Sequence, residues 1–538
     1  MDRLPNSTHT EPDWRGMKQP IFVQGKMMDY PAMGSGEDLK LPLPVLQEVV
    51  DSHIRYEKET KSIILTTAST VARMKIDRIE GKWNGKNTSF SEAPELINGV
   101  VYVPIVPLKK AYGITVHQEG ENSAVILMNA GDRITLAQAQ PSKSGDTVAL
   151  REGASVKSPI LMDMPAGERL RVWGEEQGWY FVQTDSGFTG YVKTDQIESQ
   201  GEKQVDTLPA PVSRAESEWK GKSVNLVWEA VYSRRPDPKS IGKLPGINVV
   251  SPTWFSVVDG EGNVDSKADP EYVQWAHGQK MEVWALMSNS FDPDITTSFL
   301  SSFETRSRAI TQILQYAEKY KLDGINIDFE NVYTKDKENL VQFMREMKPL
   351  AQQKGLIISI DVTPKSNSEM WSAFLDRREL ALAVDYMMVM SYDEHWASSP
   401  KAGSVSSLSW SRRTIERIIE EDDVPSSKLI LGIPMYTRIW TEQGENGGGK
   451  VSSTAVGMDT IRKLILEKKL EPQFDAAAGQ NYVEYKEEKT LKRIWIEDET
   501  SLKARVEMAQ SLELGGVASW TRSLAVQEAW HVLKGIHN

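Results

Sequence analysis

The sequence predicts a multidomain α/β chain whose C-terminal part is a closed (β/α)8 barrel, preceded by a small α+β module and an all-β module. Three observations carry this. At 538 residues the chain exceeds what one core ordinarily organises. From Trp219 onward, short runs of Val, Ile, Leu and Met alternate with amphipathic stretches, the pattern of a parallel sheet with helical crossovers. Before that point the apolar runs are brief and separated by glycine turns.

Residues 18–132 form the first expected module. Its β-like segments are Ile21-Phe22-Val23, Ile63-Ile64-Leu65, Val100-Val101-Tyr102-Val103 and Ala124-Val125-Ile126-Leu127, with turns at Gly25, Gly81 and Gly99 and a short helix beginning near Leu46. Residues 145–198 follow as a small barrel, with Val148 to Gly153, Gly178 to Val182 and Gly187 to Val192 as alternating strands between glycines. Residues 199–218 are polar, contain Pro209 and Pro211, and are expected to be a linker.

The barrel is expected over 219–538. Its eight strands begin at Val224, Ile247, Glu282, Gly324, Leu356, Tyr386, Leu429 and Gly516. Between the third and fourth strands Ile310, Ile313, Leu314 and Ala317 share a helical face; after the fourth, Leu340, Phe343, Met344, Met347, Leu350 and Ala351 do the same, with Gly355 placed to end the helix. A long stretch between strands seven and eight, 441–512, is expected to be an α+β insertion.

A formal net charge of −12 argues against nucleic acid or an anionic membrane surface as partner. With no cysteine, disulfides and thiolate metal sites are excluded, and His9, His53 and His117 have no ligand spacing, so neither metal nor cofactor is expected. No apolar run has the length of a membrane span. Met1 to Met17 lack the order of a signal peptide, so either a leader has been removed or export takes another route. Gly444 to Lys450 spells GxxxxGK, but Val451 stands where a Ser or Thr would meet magnesium and no strand leads into it; a cleft loop is the better reading.

The segment Leu322-Asp323-Gly324-Ile325-Asn326-Ile327-Asp328-Phe329-Glu330 carries the functional signal. In a strand, Asn326, Asp328 and Glu330 share one face while Ile325, Ile327 and Phe329 pack behind. Burying carboxylates there is costly unless they perform chemistry, and a close pair pushes its pKa values apart, leaving one proton donor and one anion.

These residues resemble the DGxDxDxE signature of family 18 glycoside hydrolases, the chitinase-like TIM barrels, with Asn326 where the family usually has its first Asp. Met388 to Trp396, which contains Ser391-Tyr392-Asp393-Glu394-His395, resembles the family's sixth-strand motif. The first two modules resemble the stalk domain of copper amine oxidases, without implying their copper chemistry, and the bacterial SH3-like domain that binds peptidoglycan in wall enzymes. DGINIDFE together with MSYDEHW is closest to the branch containing spore-cortex N-acetylglucosaminidases.

The resemblance implies that Glu330 is the general acid, that Asp328 accepts the N–H of the substrate's 2-acetamido group and raises the pKa of Glu330, and that Tyr392 donates to the acetamide oxygen. It implies substrate contacts from Asn326, Asp393, Tyr436, Arg438 and Trp520, the last as an aromatic sugar platform. Asn326 cannot share a proton with Asp328, which puts the usual proton cycling of the triple-acid arrangement in doubt. His395 is expected to make a structural hydrogen bond, and Trp254, Trp284, Trp396, Trp440 and Trp495 to pack or to touch sugar.

The expected function is retaining, substrate-assisted hydrolysis of β-1,4 links after N-acetylglucosamine in bacterial peptidoglycan of the spore cortex, in an extracellular, wall or spore-envelope setting. Chitin or chitooligosaccharide hydrolysis is the alternative within enzymes, and a non-catalytic glycan-binding wall protein is the alternative outside them.

Overall fold

The runs rich in Val, Ile, Leu and Met do close into a ring. The computed structural model describes residues 5–120, 123–141, 147–233, 235–444 and 448–537 and separates into two units, Met1–Pro211 and Val212–Asn538. In the second, the barrel strands are β1 (Val224–Glu229), β2 (Val249–Val257), β3 (Glu282–Ser288), β4 (Gly324–Asp328), β5 (Ile357–Val362), β6 (Tyr386–Val389), β7 (Leu429–Pro434) and β8 (Gly516–Trp520). Each pairs in parallel with the next, and β8 returns to β1 through Val224↔Gly516 to Val227↔Ser519.

Alternation along the strands separates two cores. Outward residues such as Val283, Ile325, Ile327, Ile358 and Ile360 pack beneath the helices. Inward residues, with Trp219, Trp228, Trp284, Leu286, Met388 and Ala518 among them, fill the ring itself. The helices Phe303–Tyr320 and Lys337–Gln352 bury the faces expected of them, and the buried Arg306 of the first makes two hydrogen bonds, at 3.0 and 2.7 Å, to Glu346 of the second. Among the described residues, the crossover after β1 has only a 3₁₀ turn, Pro238–Ser240, in place of a helix.

The first unit contains a five-stranded antiparallel meander over Arg55–Ser89, four- and three-stranded sheets beside it, and a seven-stranded sheet that includes the SH3-like segment. The boundary at 199 needs correction, and the stretch left unassigned between 132 and 145 joins the second module's sheet. Arg133–Ala139 and Ile197–Gln204 pair with each other in that seven-stranded sheet, so the expected linker 199–218 begins inside a strand. The polar composition misled because this strand's side chains are exposed, while its place is fixed by backbone hydrogen bonds. Residues 145 and 146 of the expected module lie outside the described residues.

The other end of the linker is also corrected. Ser213 and Glu216 form a capping box that starts the short helix Arg214–Ser217, and Arg214 pairs with Glu282 at the foot of β3 and donates to the Asp323 carbonyl at 3.2 Å. The barrel unit thus includes residues before 219. The insertion is displaced too. Its five-stranded antiparallel sheet runs from Tyr436–Gln443 to Thr490–Ile496, whereas Glu499–Ser511, expected within 441–512, is a barrel helix packed on β8.

Candidate active site

Active sites of parallel barrels lie at the C-terminal ends of the strands, and β4 delivers its polar face there. Asn326, fully buried, joins four strands. Its Oδ1 accepts from Trp228 Nε1 on β1 (2.9 Å) and Ser251 Oγ on β2 (3.3 Å), and its Nδ2 donates to Ser359 Oγ (3.1 Å) and Asp361 Oδ1 (2.8 Å) on β5. A primary amide suits this place because it accepts on one side and donates on the other. Asn326 was expected to bind substrate; instead it is 0 % exposed and forms no part of the cavity walls, so its role is internal.

Asp328, one layer above, is buried at the end of β4. Burial, then Glu330 and Asp361, hold its carboxyl well above the usual range. Asp361 is shifted the same way by burial and by Glu330, against the lowering effect of the Asn326 hydrogen bond. Glu330 lies two residues beyond the strand, and burial followed by Asp393 raises its pKa to about 7. The sequence reading makes Asp328 the anion that raises Glu330; the Glu330 shift is instead caused by burial and Asp393, while burial beside Glu330 and Asp361 raises Asp328 as well.

Three groups face these acids. The Tyr392 hydroxyl is pushed well above its ordinary value by burial, Asp361 and Tyr436, so it stays a donor. Tyr436 donates to Asp393 Oδ1 at 2.7 Å, and its ring meets that of Tyr392 edge to face. Trp520 ends β8 with its ring 6.0 Å from that of Trp228. Arg438, expected to contact substrate, stands at one remove: it is buried, lies 3.7 Å from Asp393, donates to Ser453 Oγ and does not line a cavity wall.

Two cavities meet at Glu330. One, of ≈ 380 Å³, is walled by Asp328, Asp361, Tyr392, Tyr436 and Trp520; the other, of ≈ 790 Å³, by Trp371, Trp396, Trp410 and Thr363. Glu330, Tyr392 and Asp393 line both. The arrangement can release a proton near neutral pH between two pockets able to hold rings.

Sequence reasoning missed Asp361, Trp371 and Trp410. The signal for Asp361 was present: Ser359 and Asp361 interrupt Ile357-Ile358-Ser359-Ile360-Asp361-Val362 at every second place, as Asn326 and Asp328 do on β4. Of the other candidates, His395 Nδ1 meets the Ser404 carbonyl at 2.8 Å, Trp284 stacks on Tyr386 inside the barrel, and Trp440 donates to the Gly403 carbonyl. Trp254 is buried against Tyr272, Trp495 donates to Asp475, and Trp396 is 53 % exposed at the cleft. Of the GxxxxGK stretch, residues 445–447 lie outside the described residues. Among the described residues, His117, Glu119 and Asp185 in the first unit gather within 4.8 Å, but Arg169 and Arg171 each sit 2.7 Å from Asp185 and already balance its charge.

The comparisons give the family of this parallel barrel with buried acids between two cavities. Residues 288–525 match glycosyl hydrolases family 18, residues 22–127 the copper amine oxidase N-terminal domain and residues 146–198 the bacterial SH3 domain. The chain thus carries a family 18 glycosyl hydrolase domain, and its barrel extends N-terminally beyond the matched region to β1. It is 24% identical over 300 residues to the uncharacterized glycosylase YvbX of Bacillus subtilis, spanning 54% of this chain and 84% of that protein. It is 26% identical over 262 residues to the cortical fragment-lytic enzyme of the same organism, spanning 48% and 60%. The C-terminal domain of a putative chitinase from Desulfitobacterium hafniense superposes with a TM-score of 0.52 at 23% identity, over 59% of this chain and 99% of that one, which shows a shared fold.

Proposed function

We propose that this protein is a retaining, substrate-assisted glycoside hydrolase that cuts β-1,4 links after N-acetylglucosamine in bacterial peptidoglycan, with spore cortex as the natural material. The observation that carries this reading is Glu330: an acid with a pKa of about 7 on the wall common to two cavities. The N-acetylglucosamine unit occupies the pocket floored by Trp520, and the leaving sugar the pocket with Trp371 and Trp396. Its acetamide oxygen, held by the Tyr392 hydroxyl, attacks the anomeric carbon as the glycosidic C–O bond breaks and the departing oxygen takes the Glu330 proton. Asp328 accepts the acetamide N–H and stabilises the oxazolinium charge. Water, giving a proton to the Glu330 carboxylate, then adds at the anomeric carbon as the bond from that carbon to the acetamide oxygen breaks, which restores the acetamide and the Glu330 acid.

The similarity to a cortical fragment-lytic enzyme and the SH3-like module favour a wall polymer and an extracellular or spore-envelope site of action. Chitin is the second reading, because the aromatic wall of the larger cavity suits an unsubstituted sugar chain equally well. Mass spectrometry of products from cortex, vegetative peptidoglycan and chitin oligomers decides between them. Cortex fragments ending in N-acetylglucosamine are expected, and products from chitin alone would replace the first reading with the second. Glu330→Gln is expected to abolish turnover while glycan binding survives; full turnover would overturn the acid role.

A further inference from the structure

Asp361 carries an ionisable group that the scheme above leaves without a task. In β5, Ser359 and Asp361 point into the ring with Asn326 and Asp328, since Asn326 Nδ2 reaches both β5 side chains. The register pairs Asn326 with Ser359 and Ile327 with Ile360, so Asp328 and Asp361 are the next residues along two paired strands, which a sheet spaces at roughly 4.8 Å. Both are buried, at 7 % and 3 % exposure, and among the described residues Asp328 Oδ1 has no hydrogen-bond partner. The ionisable groups around them are Glu330 on the same side, Tyr392 and Asp393 after β6, and Tyr436 after β7; Lys267 is the cation on the cavity wall.

We propose that Asp361 is a positioning residue that shares one proton with Asp328, supplying from β5 the carboxylate that Asn326 does not supply from β4. The inference rests on the hydrolase reading of this site. Two carboxylates at this spacing in a desolvated layer do not both ionise, as in other paired-acid sites. The Asn326 N–H donates to Asp361 and favours its anionic form, so in the empty site the proton resides on Asp328. When the acetamide N–H approaches, the Asp328 O–H bond breaks and an Asp361 O–H bond forms. The negative charge moves to Asp328, facing the developing oxazolinium, and the reverse transfer follows product release. No proton leaves the site in either direction.

The test is the pH dependence of kcat/KM for the full chain and for Asp361→Asn on a soluble N-acetylglucosamine oligomer, with Glu330→Gln as reference. With sharing, the first proton leaves the pair at a lower pH than it leaves a single buried carboxyl. Asp361→Asn should therefore move the acid limb to higher pH, by about one unit, and lower the rate at pH 5 by about tenfold. The exchanged pair Asn326→Asp/Asp361→Asn, which again has one amide and one carboxylate, should bring the limb back. A limb that stays in place, or moves to lower pH as loss of simple repulsion would make it, overturns the inference. So does a uniform loss at every pH with a lowered melting temperature, the mark of a structural role. If Asp361→Asn does not fold, the exchanged pair decides: an acid limb like that of the native chain supports sharing, and a raised one overturns it. Full turnover by Glu330→Gln would overturn the hydrolase reading itself, whereas its loss alongside an unmoved Asp361→Asn limb overturns this inference alone.

Discussion

Asn289 holds Glu330 by its backbone from both sides. Its Oδ1 accepts from the Glu330 N–H at 3.1 Å, and its Nδ2 donates to the Glu330 carbonyl at 2.7 Å and to Thr296 Oγ1 at 2.9 Å. Glu330 is past the end of β4, where ladder hydrogen bonds no longer fix the chain, so a fully buried amide just beyond β3 takes over that task. The carboxyl's position between the two cavities depends on it.

Asn289→Ala should therefore lower kcat by about 10²-fold, the cost of a small misplacement of an acid, with KM changed far less. Leaving the Glu330 backbone groups unpaired should also destabilise the barrel by about 1–3 kcal/mol. Steady-state kinetics beside thermal melting of the same preparation checks both.

The pKa of Glu330 has a consequence for stability. A carboxyl whose value is raised from 4.5 to about 7 on folding binds its proton more tightly in the native state, so its neutral form is fully compatible with folding below pH 4.5. Between pH 4.5 and 7 the unfolded chain ionises first, and stability falls as pH rises. Glu330→Gln escapes this penalty and should be more stable than the native chain at pH 8, by up to about 3 kcal/mol, with the difference vanishing near pH 4. Denaturant titrations at the two pH values measure it, and the rate of the native chain should fall above pH 7 as the acid is lost.

The domain boundaries can be tested by cutting. A fragment starting at Trp219 lacks Arg214 and leaves the half-buried Glu282 without its partner, whereas one starting at Val212 keeps the pair. The shorter fragment should be less stable by about 1–3 kcal/mol. On soluble oligosaccharides the fragment from Val212 should match the full chain; on insoluble wall sacculi it should be slower, because an SH3-like module that grips the wall raises the local concentration of the barrel. Equal rate ratios on the two substrates would leave the N-terminal modules without a targeting role.

The barrel strands were legible because period-two and 3.6-residue patterns survive in the sequence wherever one face is buried. The acid pair on β4 was legible for the same reason: polar residues at alternate places in an apolar strand demand an explanation. Asp361 shows the identical pattern on β5 but becomes informative only when the register sets it beside Asp328. Asn289 was not legible and Arg438 was legible only as a candidate substrate contact, since what they touch depends on contacts across 41 residues of chain in one case and on the fold of the insertion in the other. The strand Ile197–Gln204 reads as linker from 199 onward because a strand held by its backbone leaves no hydrophobic trace.

The central claim is that the substrate's own acetamide is the nucleophile, with Glu330 as the only proton donor to the leaving sugar. Proton NMR of the first product released from an N-acetylglucosamine oligomer, recorded before mutarotation, tests this most directly. Attack by the acetamide followed by water from the same face gives the β-anomer, and that is the predicted signal. An initial α-anomer would mean direct displacement by water and would contradict the account.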